Sequence, residues 1–262
     1  MREVRFCLDA APSDPVLNSW AGWPDDGRIA PYLVLRATVS GPVDRRTGYM
    51  CNITLIDRLL RDQAIPHLQR TWSTTGGSGG ARLAGPAAVA ALWGRLEGHT
   101  PGGTRLESLQ LASTPYRSFT ACRGDLPMIT MTESFEFAAS HRLFCADLPD
   151  DRNREIFGKC SNPNGHGHNY VLEVSVAGEP DPGSGTVMDH ARFQRTVKQH
   201  VIDRFDHTHL NSDVGEFARL NPTVENITRV IWDLLVDQFH PARLARVRVW
   251  ETPKTWAEYA GP

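Results

Sequence analysis

The stretch Cys160-Ser-Asn-Pro-Asn-Gly-His166-Gly-His168-Asn-Tyr170 decides the fold of the second half of the chain, because a β-strand begins as it ends. Residues 170–177 (YVLEVSVA) form the alternating run that is typical of a strand. Side chains two apart on a strand lie on the same face, about 6.5–7 Å apart. His166 and His168 are therefore predicted to project together, from the face that also carries Leu172.

A third histidine ends another alternating run, residues 135–141 (FEFAASH). Phe135, Phe137 and Ala139 are in step with His141, so the imidazole of His141 is predicted to point toward the apolar side of its strand. Two neighbouring strands of this kind would bring the three imidazoles to one point.

Three neutral imidazoles without a fourth protein ligand are the composition of a catalytic zinc site, whose open position takes water or substrate. The alternative is that each histidine is an ordinary core or surface residue. The close His-Gly-His pair favours the metal, since Gly167 allows the backbone to approach closely. Spacing by itself leaves both interpretations open.

Composition limits the class of protein. The 262 residues fit one large domain or two smaller ones, and 40% hydrophobic with 22% charged residues is ordinary for a soluble globular chain. A net charge of −2 does not favour nucleic acid or an anionic membrane as a partner. No apolar run approaches the roughly 18 residues that a transmembrane helix needs.

Cysteine usage and the N-terminus suggest a compartment. The five cysteines are odd in number and form no CxxC pair, and the first residues lack the apolar core of a signal peptide. We therefore expect a cytoplasmic chain with free thiols.

The sequence also repeats itself. Residues 33–60 align with residues 170–197 without a gap, at a constant offset of 137. The identical pairs are Val34/Val171, Leu35/Leu172, Val39/Val176, Gly41/Gly178, Asp44/Asp181 and Gly48/Gly185. We interpret this as two fused copies of one domain, over residues 1–127 and 128–262.

Each copy is predicted to run strand, strand, helix, helix, strand, strand. That order indicates an α+β fold, with a four-stranded antiparallel sheet and both helices on one face. In the second copy we expect one helix over about 189–204. A second helix would open with Asn221 as its cap and Pro222 at the first helical position. Strands are expected over 247–250 and 255–259.

Residues 135–259 resemble the 6-pyruvoyl-tetrahydropterin synthase family, which includes the bacterial 6-carboxytetrahydropterin synthases. The matching runs, in the family's order, are 137–143 (FAASHRL), 157–170 (FGKCSNPNGHGHNY), 187–189 (VMD), 206–211 (DHTHLN), 222–226 (PTVEN) and 250–252 (WET). The resemblance covers about half of the chain. It implies tandem tunnelling-fold (T-fold) domains, whose ββααββ units assemble into barrels, and a zinc enzyme acting on 7,8-dihydroneopterin triphosphate.

The resemblance also implies the roles of the metal-site residues. His141, His166 and His168 would hold Zn²⁺, which would bind the hydroxyls of the substrate side chain. Cys160 would be the general base, with its thiol pKa lowered by the nearby cation. The alternative for Cys160 is a small buried hydrophobic residue.

Four further residues match functional positions of the family. Asp206 and His207 would form a second proton-transfer group, in which the carboxylate fixes the imidazole; alone, such a dipeptide is usually a solvated turn. Glu251 would bind the adjacent N–H donors of the pterin ring. Thr223 would contact the same ring or would simply start a helix. His190 and His209 match no functional position and are interpreted as structural or surface residues.

The first copy departs from this pattern. The histidine pair falls on Ile29 and Pro31, and Cys160 falls on Trp23. Ser113 stands in place of Glu251, and the glycine- and serine-rich residues 73–80 replace the region of Asp206 and His207. The first half is therefore interpreted as a degenerate T-fold domain retained for assembly.

The expected function is that of a zinc-dependent carbon–oxygen lyase that forms 6-pyruvoyl-tetrahydropterin and releases triphosphate. The five residues between Cys160 and His166 resemble the pyruvoyl branch. One alternative is a 6-carboxytetrahydropterin synthase, which makes a precursor of deazapurines such as queuosine. Another is a non-catalytic pterin-binding or scaffold protein. The expected partners are the pterin triphosphate and further copies of the chain, which would close a barrel as a homo-oligomer.

Overall fold

The computed structural model describes residues 1–8, 31–75 and 84–262. The chain divides into two compact units. Unit 1 comprises residues 1–132 and 177–187, and unit 2 comprises residues 133–176 and 188–262. Among the described residues, no helix is both long enough and apolar enough to cross a membrane.

Unit 1 has an antiparallel sheet with the strand order β1-β2-β3-β4. The strands are β1 (Arg2–Cys7), β2 (Tyr32–Ser40), β3 (Arg105–Thr114) and β4 (Arg117–Cys122). The described helices are α1 (Ile53–Leu59), α2 (Ile65–Thr74) and α3 (Pro86–Leu96), with a π-helical turn between α1 and α2. Alternate residues of β2 and one stripe of α3 are buried, as the strand and helix periods require.

Part of the predicted glycine- and serine-rich loop is helical. Ser73 and Thr74 belong to the last turn of α2, where their hydroxyls donate to the carbonyls of Gln69 and Arg70. These bonds between a hydroxyl and the preceding turn allow polar residues to continue a helix. The rest of that prediction, residues 76–80, lies outside the described residues, as do Trp23 and Ile29.

Unit 2 contains most of β5 (Ile129–His141), and its strands follow the order β5-β6-β8-β9. The other strands are β6 (His166–Gly178), β7 (Thr208–His209), β8 (Arg243–Thr252) and β9 (Thr255–Tyr259). The helices are α4 (Asp150–Phe157), α5 (His190–Val197), α6 (Asp203–Phe205), α7 (Leu210–Asp213) and α8 (Val224–Leu235). A π-helical turn joins α5 to α6, so the predicted first helix is one interrupted segment.

The elements of unit 2 that were not predicted include β7 and α4. β7 pairs with β5 in the parallel direction, so the sheet is not restricted to four strands. Helix α4 lies between β5 and β6, where its side chain Asn153 is buried and bonds the backbone of Cys145 and Leu148. Only the tertiary structure provides these partners, which explains why a periodicity argument misses both elements.

Aromatic residues hold the helices of unit 2 on one face of β5. The ring of Phe193 lies 5.9 Å from that of Phe135, and the ring of Phe205 lies 5.9 Å from that of Phe137. Phe135 and Phe137 lie at odd-numbered positions of β5, as His141 does, so the three side chains lie on the same face of the strand. The imidazole of His141 therefore projects from the face that the helices cover.

Helix α8 begins two residues later than predicted. Its cap is Thr223, whose hydroxyl oxygen accepts a hydrogen bond from the Asn226 amide at 3.3 Å. Asn221 does not cap, because its side-chain oxygen accepts a bond from the Phe144 amide instead. Pro222 precedes the helix, and its carbonyl oxygen lies within hydrogen-bond distance of Nδ1 of His141.

Two turns at the offset of 137 have the same hydrogen bonds. The Asp44 amide donates to the carbonyl of Tyr49, and the Asp44 carbonyl accepts from the Gly48 amide. Asp181 makes the same two bonds with Thr186 and Gly185. Each aspartate also caps the amides two and three residues later. Gly48 and Gly185 have φ values of 72° and 74°, in the left-handed region that favours glycine.

Candidate active site

The structure brings together the three histidines predicted to form a site. His141 is the last residue of β5, and His166 and His168 begin β6 on the face of the buried Tyr170 and Leu172. One ring nitrogen from each histidine lies within 4.8 Å of the other two. The Nε2 atoms of His141 and His166 are 3.1 Å apart.

The tautomer of His141 is fixed by a backbone carbonyl. Its side chain is fully buried, and Nδ1 lies 2.8 Å from the carbonyl oxygen of Pro222. Because a carbonyl can only accept, Nδ1 must carry the proton and Nε2 presents a lone pair. Burial lowers the pKa of His141 to about 4, although the bond to Pro222 partly opposes this. The ring is therefore neutral at pH 7.

The other two imidazoles contain polar atoms without partners. Nδ1 of His166 and Nε2 of His168 are buried and make no hydrogen bond within the part of the chain that the structure describes. Burial, and then the neighbouring His168, lower the pKa of His166. Buried polar atoms are nearly always satisfied in proteins. Three imidazoles that face one another, two of them with a buried ring nitrogen that has no partner, are a donor set that suits zinc.

Glu251 lies beside this cluster. It occupies the carboxyl end of β8, and its Oε1 is 3.4 Å from Nε2 of His141 and 3.5 Å from Nε2 of His168. Thr223, which was predicted to contact the pterin or to start a helix, is the cap of α8.

Cys160 lies in a short 3₁₀ turn, where its carbonyl accepts a bond from the Leu143 amide at 2.9 Å. Burial raises the pKa of the thiol, and the negative charge of Glu251 raises it further. A thiol needs a lowered pKa to act as a base at neutral pH. The residues alone therefore leave Cys160 protonated, and a cation at the histidine cluster would reverse that effect.

Tyr170 is a residue of this site that the sequence analysis missed. Its hydroxyl is buried without a hydrogen-bond partner among the described residues, and its ring lies 5.6 Å from that of His168. The ring also stacks on Phe137 at 4.9 Å. The signal was available, because Tyr170 continues the alternation of His166 and His168 along one face of β6.

The Asp206–His207 pair forms as predicted from the sequence. Oδ2 of Asp206 lies 2.8 Å from Nδ1 of His207, and the Ala138 amide donates to Oδ1. That backbone bond, and then His207, lower the pKa of Asp206. His207 has a φ of 59° and a side chain that is 84% exposed. Both His207 and His168 line an open cleft of about 490 Å³.

The two histidines without a predicted function differ in their surroundings. His190 lies 2.5 Å from the buried carboxylate of Glu133, which explains it as a structural residue. His209 has a buried Nδ1 without a partner within the described ranges, and it borders the same cleft as His207.

Gly165 provides a test of how tightly the cluster is packed. It has a φ of 69°, and a Cβ there would lie 2.9 Å from the His141 carbonyl and 3.0 Å from Nε2 of His209. We expect Gly165→Ala to cost about 1–2 kcal/mol for the left-handed backbone and roughly 1–3 kcal/mol more for the clash. Urea denaturation measures the loss, and chelator competition measures the accompanying fall in zinc affinity.

The matched control for that variant is Gly48→Ala. Gly48 also has a positive φ, 72°, but a Cβ there would meet open space. It should lose only the backbone contribution and keep its zinc affinity. Equal losses of stability in the two variants would contradict the packing argument.

Comparison with known proteins identifies the second half of the chain. Residues 130–262 match the family model for 6-pyruvoyl tetrahydropterin synthase. The human 6-pyruvoyl tetrahydrobiopterin synthase is 40% identical over 131 residues, which are 50% of this chain and 90% of that protein. A protein of Archaeoglobus fulgidus, provisionally named as a 6-carboxy-5,6,7,8-tetrahydropterin synthase, is 39% identical over 93 residues, or 36% of this chain and 73% of that protein.

A solved structure supports the same assignment. The Caenorhabditis elegans 6-pyruvoyl tetrahydropterin synthase superposes with a TM-score of 0.50 at 41% identity, covering 52% of this chain and 97% of that one. The relatives so named are lyases, and the family match spans the histidine cluster, Cys160 and Glu251. The chain therefore belongs to the 6-pyruvoyl tetrahydropterin synthase family of enzymes.

Proposed function

We propose that the chain is a zinc-dependent carbon–oxygen lyase that converts 7,8-dihydroneopterin triphosphate to 6-pyruvoyl-tetrahydropterin with loss of triphosphate. The observation that carries this proposal is the cluster of three imidazoles, whose ring nitrogens lie within 4.8 Å of one another inside the segment that matches the family. A scaffold would have no need to bury unpartnered ring nitrogens, which are costly to leave unsatisfied.

His141, His166 and His168 would hold the zinc ion. When bound, the ion would supply a Lewis acid that acidifies the side-chain hydroxyls of the substrate. Cys160 would then take a proton from a side-chain carbon, since a neighbouring cation favours the thiolate. Glu251 would accept the N–H donors of the pterin ring and so place that carbon within reach of the thiolate.

Asp206 and His207 would move the second proton. The carboxylate keeps the Nδ1 proton of His207 in place, which leaves Nε2 free to exchange a proton with a ligand in the cleft. The exposure of the His207 ring and its position on the cleft shared with His168 support this role.

The pyruvoyl product is favoured over the carboxy product by the extent of the similarity. Relatives of the pyruvoyl type match over 131–137 residues, whereas the carboxy-type relative from Archaeoglobus fulgidus matches over 93. Incubation with 7,8-dihydroneopterin triphosphate, followed by mass spectrometry, separates the candidates. A pyruvoyl product with free triphosphate is expected; a carboxy product would assign the deazapurine branch, and unchanged substrate would support a pterin-binding scaffold.

For residues 1–127, we propose a degenerate copy of the catalytic domain at 128–262. The matched turns at Asp44 and Asp181 support this, as does the order of two strands, a helical segment and two further strands in residues 2–122. Two domains per chain would halve the number of chains needed to close a barrel, so we expect a closed homo-oligomer, with three chains per barrel. Light scattering at micromolar concentration tests this, and a monodisperse monomer would contradict it.

A further inference from the structure

The carboxylate of Glu251 is at an unusual distance from its neighbours. The 3.4 Å and 3.5 Å from Oε1 to Nε2 of His141 and of His168 exceed the usual range of about 2.7–3.2 Å for an N–H···O bond. The Pro222 carbonyl leaves Nε2 of His141 with a lone pair and no proton to donate. Nε2 of His168 has no hydrogen-bond partner among the described residues either. At the contact with His141, an electron-rich oxygen therefore faces an electron-rich nitrogen without a proton to join them.

A cation bound between the two atoms would make such a contact favourable. Four ligand atoms at about 2.0–2.1 Å from a tetrahedral zinc are about 3.3–3.4 Å from one another. The Nε2 atoms of His141 and His166 are 3.1 Å apart, and Oε1 of Glu251 is 3.4 Å and 3.5 Å from its two nitrogens. The two separations of Oε1 match the spacing of ligands around one ion and exceed that of hydrogen-bonded groups, whereas the 3.1 Å between the two Nε2 atoms is compatible with either.

We propose that Glu251 is a fourth ligand of the metal in the substrate-free enzyme, and that the pterin ring displaces it. The inference rests on the proposed function, in which the same carboxylate binds the N–H donors of the pterin. Its side chain is 18% exposed at the end of β8, so an incoming ring can reach it. Arrival of the ring would free one coordination position for the hydroxyls of the substrate side chain.

The proposal predicts a measurable coupling between two ligands. If the ring and the metal compete for one carboxylate, each must weaken the binding of the other by the same factor. The probe for the ring is unsubstituted pterin, which has the aminopyrimidinone edge but no hydroxylated side chain that can chelate. Saturating pterin is expected to lower the zinc affinity of the wild-type chain and to alter its cobalt absorption spectrum.

The experiment compares the full wild-type chain with Glu251→Gln and a control, Glu173→Gln. Glu173 lies on β6, where its carboxylate pairs with Arg248 at 3.4 Å. Zinc affinity is measured by competition with a chromophoric chelator, and coordination by the visible spectrum of the Co²⁺ form. Glu251→Gln should lower zinc affinity by about 10- to 100-fold and abolish the effect of pterin, as loss of groups around a metal typically does. Glu173→Gln should match the wild type in both measurements.

The outcomes separate this inference from the function on which it rests. Equal zinc affinity in Glu251→Gln and wild type, or a wild-type affinity that saturating pterin leaves unchanged, would overturn the ligand role and leave the lyase proposal intact. The pterin titration needs no variant, so it decides the question even if Glu251→Gln does not fold. A wild-type chain that binds no zinc would overturn the proposed metal chemistry itself.

Discussion

Replacing His166 with alanine is expected to yield a folded chain that retains almost no zinc and almost no lyase activity. The imidazole of His166 is half-buried at the start of β6, so its removal should leave the strand intact. Glu251 is already proposed to occupy the fourth position, so no other side chain described at the cluster can replace the lost imidazole. Elemental analysis should give one zinc per wild-type chain and near zero for the variant. Turnover should fall by about 10²–10³-fold or more, the loss typical of removing a strong electrostatic stabiliser.

Two control variants test whether the loss of zinc is specific to the histidine cluster. His200→Ala changes a histidine of unit 2 on the π-helical turn, outside the cluster, and should keep both zinc and activity. His207→Ala should keep zinc while losing turnover, because its ring is exposed on the cleft and is not a predicted ligand. Full zinc content in His166→Ala, or two zinc ions per wild-type chain, would contradict the proposed site.

Cys160→Ala should lose most turnover while zinc and pterin binding remain. The thiol is proposed to remove a proton, whereas other side chains hold the metal and the ring. General base catalysis is typically worth about 10²–10⁴-fold, so a loss in that range is expected. The measurements are turnover, zinc content and the affinity for the pterin ring.

The matched control is Cys145→Ala. Cys145 is also a free cysteine of intermediate exposure, and its contacts with Asn153 use only backbone atoms. It should therefore leave turnover unchanged. Near-normal turnover in Cys160→Ala with full zinc content would exclude the thiol as the base and make the Asp206–His207 pair the better candidate.

The pH dependence of thiol alkylation provides an independent test of whether zinc lowers the pKa of the Cys160 thiol. In the metal-free chain, burial and then Glu251 raise the pKa of the thiol, so alkylation should require a higher pH than for an ordinary cysteine. Zinc binding should shift the profile toward lower pH. An alkylation profile that does not respond to zinc would indicate that the metal does not activate the thiol.

Local periodicity was enough to predict the histidine cluster. Alternation along a strand is fixed by the backbone, so the directions of His141, His166 and His168 follow from sequence alone. The same rule applies to Tyr170. It was not predicted as a site residue, because a tyrosine on the apolar face of a strand is usually a core residue. The strand at 255–259 was also predicted with its observed bounds.

Features that depend on distant partners were not predictable in the same way. Asparagine is a common helix cap, but the side-chain oxygen of Asn221 accepts a hydrogen bond from the amide of Phe144. Thr223 therefore caps the helix instead. Helix α4 and strand β7 likewise depend on partners that are remote in sequence. The approach of Glu251 to the cluster depends on how β8 is placed in the sheet, which no short motif encodes.

The bond between His141 and the Pro222 carbonyl has a consequence for how this site tolerates mutation. Every amino acid has a backbone carbonyl, so no substitution at position 222 can delete the acceptor that orients the ring. Sequence drift can disturb that orientation only by displacing the main chain, for example through the cap at Thr223. Substitution at position 222 therefore keeps the hydrogen-bond acceptor of the imidazole. The residues that must be retained are those that hold the backbone of position 222 in place.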